Sequence, residues 1–99
     1  MAAKPYLDIL KDFAKLVRSE FSTSDIILYG SYARGNYDEN SDIDIAVIVD
    51  SISADYLDLS SRLYELAWKI DNRIEPVLII KSESRSGFLE SILKYGIPA

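Results

Sequence analysis

The stretch "DIDIAVIV", residues 42–49, constrains the fold more than any other. Ile43, Ile45, Val47 and Val49 fall at every second position, with Asp42 and Asp44 among the residues between them. Alternating β-branched residues suit a pleated strand with one face against a core. Side chains alternate across a strand, so Asp42 and Asp44 share one face while the isoleucines and valines take the other. The two acids are about 7 Å apart along the backbone. At that spacing two full charges repel by roughly 2–4 kcal/mol for an effective dielectric of about 20, a cost that a shared cation removes. Mg²⁺ suits the place, since it takes oxygen ligands and keeps water and phosphate in its shell. By itself a D-x-D pair also describes a solvated strand face, which is a common arrangement. A calcium loop beginning at Asp38 is excluded, because its glycine and glutamate positions fall on Ile43 and Val49.

Composition narrows the chemistry. There is no cysteine and no histidine. Disulfides, thiolate metal sites and every mechanism that needs an imidazole are ruled out. Carboxylates, hydroxyls, Lys, Arg and hard metal ions are left. The net charge of −5 argues against general nucleic-acid binding, which requires a basic surface. No apolar run approaches the ~20 residues of a membrane span. The opening "MAAKPYLDILKDF" has no signal-peptide core. The expectation is a single cytoplasmic domain over residues 1–99.

Upstream, "IILY" (26–29) reads as a short strand that stops at Gly30-Ser31. If a brief helix capped by Ser31 covers "YAR", its free N–H groups make an anion site. Gly30 would let a phosphate approach without a Cβ in the way. Arg34, one turn on, would fork onto the same phosphate or its neighbour. An ordinary strand-to-helix turn would use the same two residues. Neither G-x-x-x-x-G-K-[ST] nor G-x-G-x-x-G occurs.

The remaining chain supplies cover for these strands. Tyr6, Ile9, Leu10, Phe13, Leu16 and Val17 give helical spacing over 5–21, with Pro5 in the first turn. A second helix is expected from a Ser53 cap to Ile70, with Tyr56, Leu59, Leu63, Leu66, Ala67 and Ile70 on one face. "RIEPVLII" (73–80) reads as a third strand, where Pro76 signals an edge or a bulge. A last helix over 86–95 would turn Phe88, Leu89, Ile92 and Leu93 inward and stop at Gly96. The predicted class is α+β: a small three- to four-stranded mixed sheet with helices packed on one face.

Ten residues separate Ser31 from Asp42, A-R-G follows "GSY", and Ser41 precedes the acids. In this combination "GSYARGNYDENSDIDIAVIV" resembles the signature of the minimal nucleotidyltransferases, a small branch of the DNA polymerase beta-like nucleotidyltransferase superfamily. The order of helices and strands over nearly the whole chain is similar too. The resemblance implies a nucleotidyltransferase fold. It implies that Gly30 and Ser31 bind nucleotide phosphates with Arg34 as helper, and that Asp42 and Asp44 hold two Mg²⁺ ions. It also implies a third acid on the next strand, which here is Glu75; Asp71, at a helix end, is the competitor. Lys69 and Arg73 are either phosphate ligands or ordinary helix-end charges. Tyr32 and Tyr37 either stack on a base or pack at the surface, and Trp68 packs beside its helix's core stripe or at an interface. By the same resemblance, the substrate is ATP or another nucleoside triphosphate. AMP would pass to a tyrosine of a partner HEPN-domain toxin, with this chain as antitoxin. A non-catalytic antitoxin acting by complex formation and an antibiotic-type small-molecule nucleotidyltransferase are the alternatives. With seven tyrosines, self-association or waiting for a partner is a further expectation.

Overall fold

A computed structural model describes residues 5–23, 25–83 and 87–99. In chain order the elements are α1 (Tyr6–Arg18), β1 (Asp25–Tyr29), α2 (Gly30–Arg34), β2 (Ile43–Val49), α3 (Tyr56–Ile70), β3 (Ile74–Ile80), a 3₁₀ turn (Lys81–Glu83), α4 (Phe88–Tyr95) and β4 (Ile97–Pro98). They build one mixed four-stranded sheet in the order β3-β2-β1-β4. β1 and β2 are antiparallel, as are β1 and β4. β2 and β3 run parallel, which needs a crossover connection, and α3 supplies it.

The alternation in β2 decides how the sheet is covered. Ile43, Ile45, Val47 and Val49 pack with Ile26 and Leu28 of β1 and Ile74, Leu78 and Ile80 of β3. Over them lie Ile9, Leu10, Phe13, Ala14 and Val17 of α1 and Leu63, Leu66 and Ala67 of α3. This is the predicted helical layer, and apart from Tyr56 its stripes on α1 and α3 follow the spacing of the sequence.

The other sheet face is covered as well. Ile27, Ala46, Ile48 and Ile79 form a second cluster there with Ile92 of α4. The helices are therefore not confined to one face: α1 and α3 lie on one side, α4 on the other. Asp44 shares its strand face with Ala46 and Ile48, which are both completely buried. The acid face of β2 is thus wet only at its N-terminal end.

Several local expectations change. Asp55, not Ser53, caps α3, its side chain accepting from the N–H groups of Leu57 (2.9 Å) and Asp58 (3.2 Å). Tyr29 precedes α2, so Ser31 sits inside that helix and is not its cap. Tyr56 is exposed rather than part of the α3 core stripe, although its hydroxyl donates to the Leu78 carbonyl at 2.7 Å. Phe88 and Leu93 are nearly half exposed, because α4 offers the sheet a narrow stripe with Ile92 at its centre. α4 begins at Phe88, and the expected start at 86 lies outside the described residues. Pro76 sits on β3, an edge strand, where a missing N–H costs nothing on the open side. Among the described residues no helix is long and apolar enough to cross a membrane.

Gly96 ends α4, as expected, but for a packing reason. A Cβ there would overlap Ile27 Cγ2 and lie 2.6 Å from the Ile92 carbonyl oxygen. Gly96→Ala is expected to destabilise the fold by roughly 1–3 kcal/mol through overpacking. Urea denaturation checks this: an unchanged midpoint would mean that β1 and α4 tolerate a wider gap.

Candidate active site

The site grows from the strand register. Asp44 is opposite Tyr29 of β1 on one side and Glu75 of β3 on the other. These three residues form a row across three strands on the face away from α1 and α3. Neighbouring strands are about 5 Å apart, so the two carboxylate-bearing positions are adjacent. Asp42 lies two residues ahead of Asp44, exposed and just before β2 begins. Ile43 continues the ladder across that point, its N–H donating to the Arg73 carbonyl at 2.8 Å.

Gly30 closes the row from above. Its φ is +73°, a left-handed conformation that side chains with a Cβ rarely adopt. A Cβ at this position would overlap the Asp44 Oδ2. Backbone and carboxylate are thus in direct contact, and only glycine permits both the turn and the approach. α2 then carries Ser31 and Arg34 out from the same point.

The electrostatics match this layout. The Asp44 carboxyl is held above its ordinary range, first by burial and then by the charges of Asp42 and Glu75. Arg34 acts in the opposite direction, so its guanidinium is near enough to be felt. The Tyr29 hydroxyl is pushed up to about 12 by burial and by Asp44, Glu75 and Tyr64. It stays a neutral phenol. The Tyr64 hydroxyl of α3 donates to Glu75 Oε2 at 2.9 Å, and that bond leads the causes raising its own pKa.

The structure therefore brings Gly30, Arg34, Asp42, Asp44 and Glu75 to one end of the sheet. Among the described residues, however, no three acids are drawn tightly enough together to hold a metal ion as they stand. Glu75 is turned instead toward Tyr64. The donor set is carboxylate oxygen only. That chemistry suits Mg²⁺ and offers nothing to softer metals.

The other candidates separate cleanly. Asp71 is bound by Arg73, whose Nε and Nη2 reach its two oxygens at 3.0 Å each. This fork depresses the Asp71 carboxyl and occupies Arg73, whose Nη1 also donates to the Tyr32 hydroxyl at 3.2 Å. The two side chains are thus engaged with one another, and that of Arg73 also with Tyr32. Lys69 is exposed on α3, where its charge is felt by Glu20 near the end of α1. Tyr32 is buried and stacks on Tyr37, with ring centres 4.2 Å apart and planes 12° from parallel. Tyr6 packs against both rings, so these two aromatics are spent on one another. Trp68 is 63% exposed beside Tyr64 and is not in the core.

Two residues of the site carry no signal of it in the sequence. Tyr29 adjoins Gly30, and its spacing marks it as strand alone. Tyr64 lies off the core stripe of α3, and its role depends on a strand eleven residues later.

Known proteins resemble this chain in sequence and in fold. A family model described as a nucleotidyltransferase domain matches residues 10–98. A protein of Methanocaldococcus jannaschii, provisionally named a protein adenylyltransferase, is 33% identical over 98 residues, covering 92% of this chain and 95% of its own. The protein adenylyltransferase MntA of Thermococcus cleftensis is 32% identical over 88 residues, covering 87% and 84%. Among solved structures, a toxin–antitoxin complex with AMP-PNP superposes with a TM-score of 0.68 at 27% identity, over 89% of this chain and 69% of that one. A provisionally named nucleotidyltransferase of Sulfolobus solfataricus, at 24% identity and a TM-score of 0.64, covers 93% and 77% and shares the fold.

Proposed function

Since the chain belongs to the nucleotidyltransferase domain family, we propose that it is a Mg²⁺-dependent adenylyltransferase that moves AMP from ATP to a tyrosine of a partner protein, a HEPN-domain toxin. The observation that carries this reading is the contact between the Gly30 backbone and the Asp44 carboxylate, with Glu75 in register beside it. In this reading the contact joins a surface for phosphate to a surface for cations, the juxtaposition that a nucleoside triphosphate requires. The relatives named as protein adenylyltransferases support the choice of nucleotide and of a protein acceptor. The toxin–antitoxin neighbour with AMP-PNP supports the antitoxin role.

In this reading the backbone at Gly30 and Ser31 and the guanidinium of Arg34 hold the phosphates. Asp42, Asp44 and Glu75 would hold two Mg²⁺ ions, which would supply charge neutralisation for the triphosphate and for the attacking and leaving oxygens. The acceptor's phenolic oxygen bonds to the α-phosphorus, the bond to the β-phosphate's bridging oxygen breaks, and pyrophosphate departs. A carboxylate of the acid set or water takes the phenolic proton. Glu75, exposed and held by a tyrosine hydroxyl, can exchange that partner for a cation. The buried end of β2 keeps Asp44 fixed meanwhile.

The test uses ATP labelled in its α-phosphate, Mg²⁺ and a HEPN-domain protein offered as the acceptor. Label on a tyrosine of the partner is the expected result. A complex that neutralises the toxin with no label transferred would make the chain a scaffold. Glu75→Gln is expected to reduce transfer by about 10²-fold or more. Asp71→Asn is expected to leave the rate unchanged and to lower stability by about 1–2 kcal/mol, since it removes one side of the Arg73 fork. The reverse pattern in single-turnover rates and urea midpoints would make Asp71 the third acid.

A further inference from the structure

A hollow of about 680 Å³ opens between α2 and α4, and the phosphate chemistry above accounts only for its Gly30 and Arg34 wall. Its floor is Tyr29, the cross-strand neighbour of Asp44. One wall is Gly30 and Arg34; the other is Phe88, Ser91 and Tyr95. The hollow therefore begins at the backbone that touches the Asp44 carboxylate and leads away from the acids.

Resting on the reading of the site as a nucleotidyltransferase centre, we propose that this hollow holds the nucleoside end of the triphosphate, with the base lying on the Tyr95 ring. Size permits it, since small-ligand pockets run from about 300 to 1,000 Å³. Position permits it, since a phosphate chain at Gly30 and Arg34 has its nucleoside end free to enter the same hollow. Chemistry favours it. The lining is largely apolar, and a flat base gains most from aromatic faces. Tyr95 is 67% exposed and Phe88 46%, so two large rings of one short helix stand at the mouth of one hollow. Phe88 meets Tyr29 edge to face at 5.6 Å, which sets the angle between floor and wall. The Lys94 ammonium lies 5.3 Å from the Tyr95 ring centre. The hollow beside Tyr37 also adjoins the signature loop. It is lined by Asp38 and Glu39, with Arg73 already held by Asp71, so its charge is wrong for a nucleotide.

Calorimetric titration with ATP and with inorganic tripolyphosphate, both in Mg²⁺, separates the nucleoside end from the phosphates. Tyr95→Ala is expected to weaken ATP by about 5- to 100-fold, the value of one base stacked on one ring. Tripolyphosphate should bind the variant as it binds the wild type. Ser91→Trp, an exposed position that would fill the hollow, should also weaken ATP and spare tripolyphosphate. ATP affinity unchanged in both variants would overturn the proposal, as would equal weakening of the two ligands. If the wild type bound neither ligand, the nucleotidyltransferase reading would fall and the hollow's role with it.

Discussion

Asp44→Asn is expected to raise the thermal midpoint of the metal-free protein while lowering nucleotidyl transfer by at least about 10²–10³-fold. The two effects share one cause. Burial, then Asp42 and Glu75, hold the Asp44 carboxyl above its ordinary range, with Arg34 offsetting only part. The folded state therefore binds this proton more tightly than the unfolded chain does. Stability from this residue is greatest below the ordinary carboxylate range. It declines as pH rises through the interval up to the raised folded value and stays lower at neutral pH. Asparagine cannot ionise and is free of that loss. Calorimetric melts in chelator should show the variant more stable at neutral pH, with the difference shrinking in acid. A variant less stable than wild type at neutral pH would mean that the carboxylate contributes a contact which outweighs the repulsion. Added Mg²⁺ should stabilise the wild type more than the variant, because only the wild type presents the full acid pair.

Gly30→Ala is expected to cost both stability and activity, and the loss has two separable parts. The left-handed backbone at +73° penalises any residue with a Cβ, by roughly 1–2 kcal/mol. The overlap with the Asp44 carboxylate adds to it. Asp44→Ala should remove the second part and leave the first. Urea midpoints of the wild type, the two single variants and the double variant should therefore give a coupling of about 0.5–3 kcal/mol between the positions. Additive losses would mean that the backbone moves aside and that the close contact is not maintained. Transfer by Gly30→Ala itself should fall steeply, because the phosphate surface and the acid row are displaced from one another.

Much of the fold was legible because its signals are local. The stripes of α1 and α3 follow helical spacing, and the alternation in β2 follows strand spacing. Tyr64 shows the limit. It lies off the α3 core stripe, and nothing within a turn of it hints at a carboxylate neighbour. It meets Glu75 because α3 crosses between two parallel strands. Ser53 and Asp55 show a smaller limit: both are good caps, and only the path of the chain into α3 selects the second. Phe88 and Leu93 show a third, since apolar spacing on an eight-residue helix does not say how wide a stripe the sheet will cover.

Residue type and spacing alone determined that any chemistry of this chain does without imidazole and thiol, and that Asp42 and Asp44 fall on the face opposite the isoleucines of β2. They also determined that a glycine stands where β1 gives way to a helix. Only the tertiary structure decided which third acid joins the row. Asp71 and Glu75 are four residues apart, and the parallel register sets Glu75 against Asp44 while Arg73 binds Asp71. It also decided why residue 30 must be glycine, through a carboxylate fourteen positions away. Strand pairing converts separation along the chain into contacts of a few ångströms, and local spacing carries no record of which strands will pair.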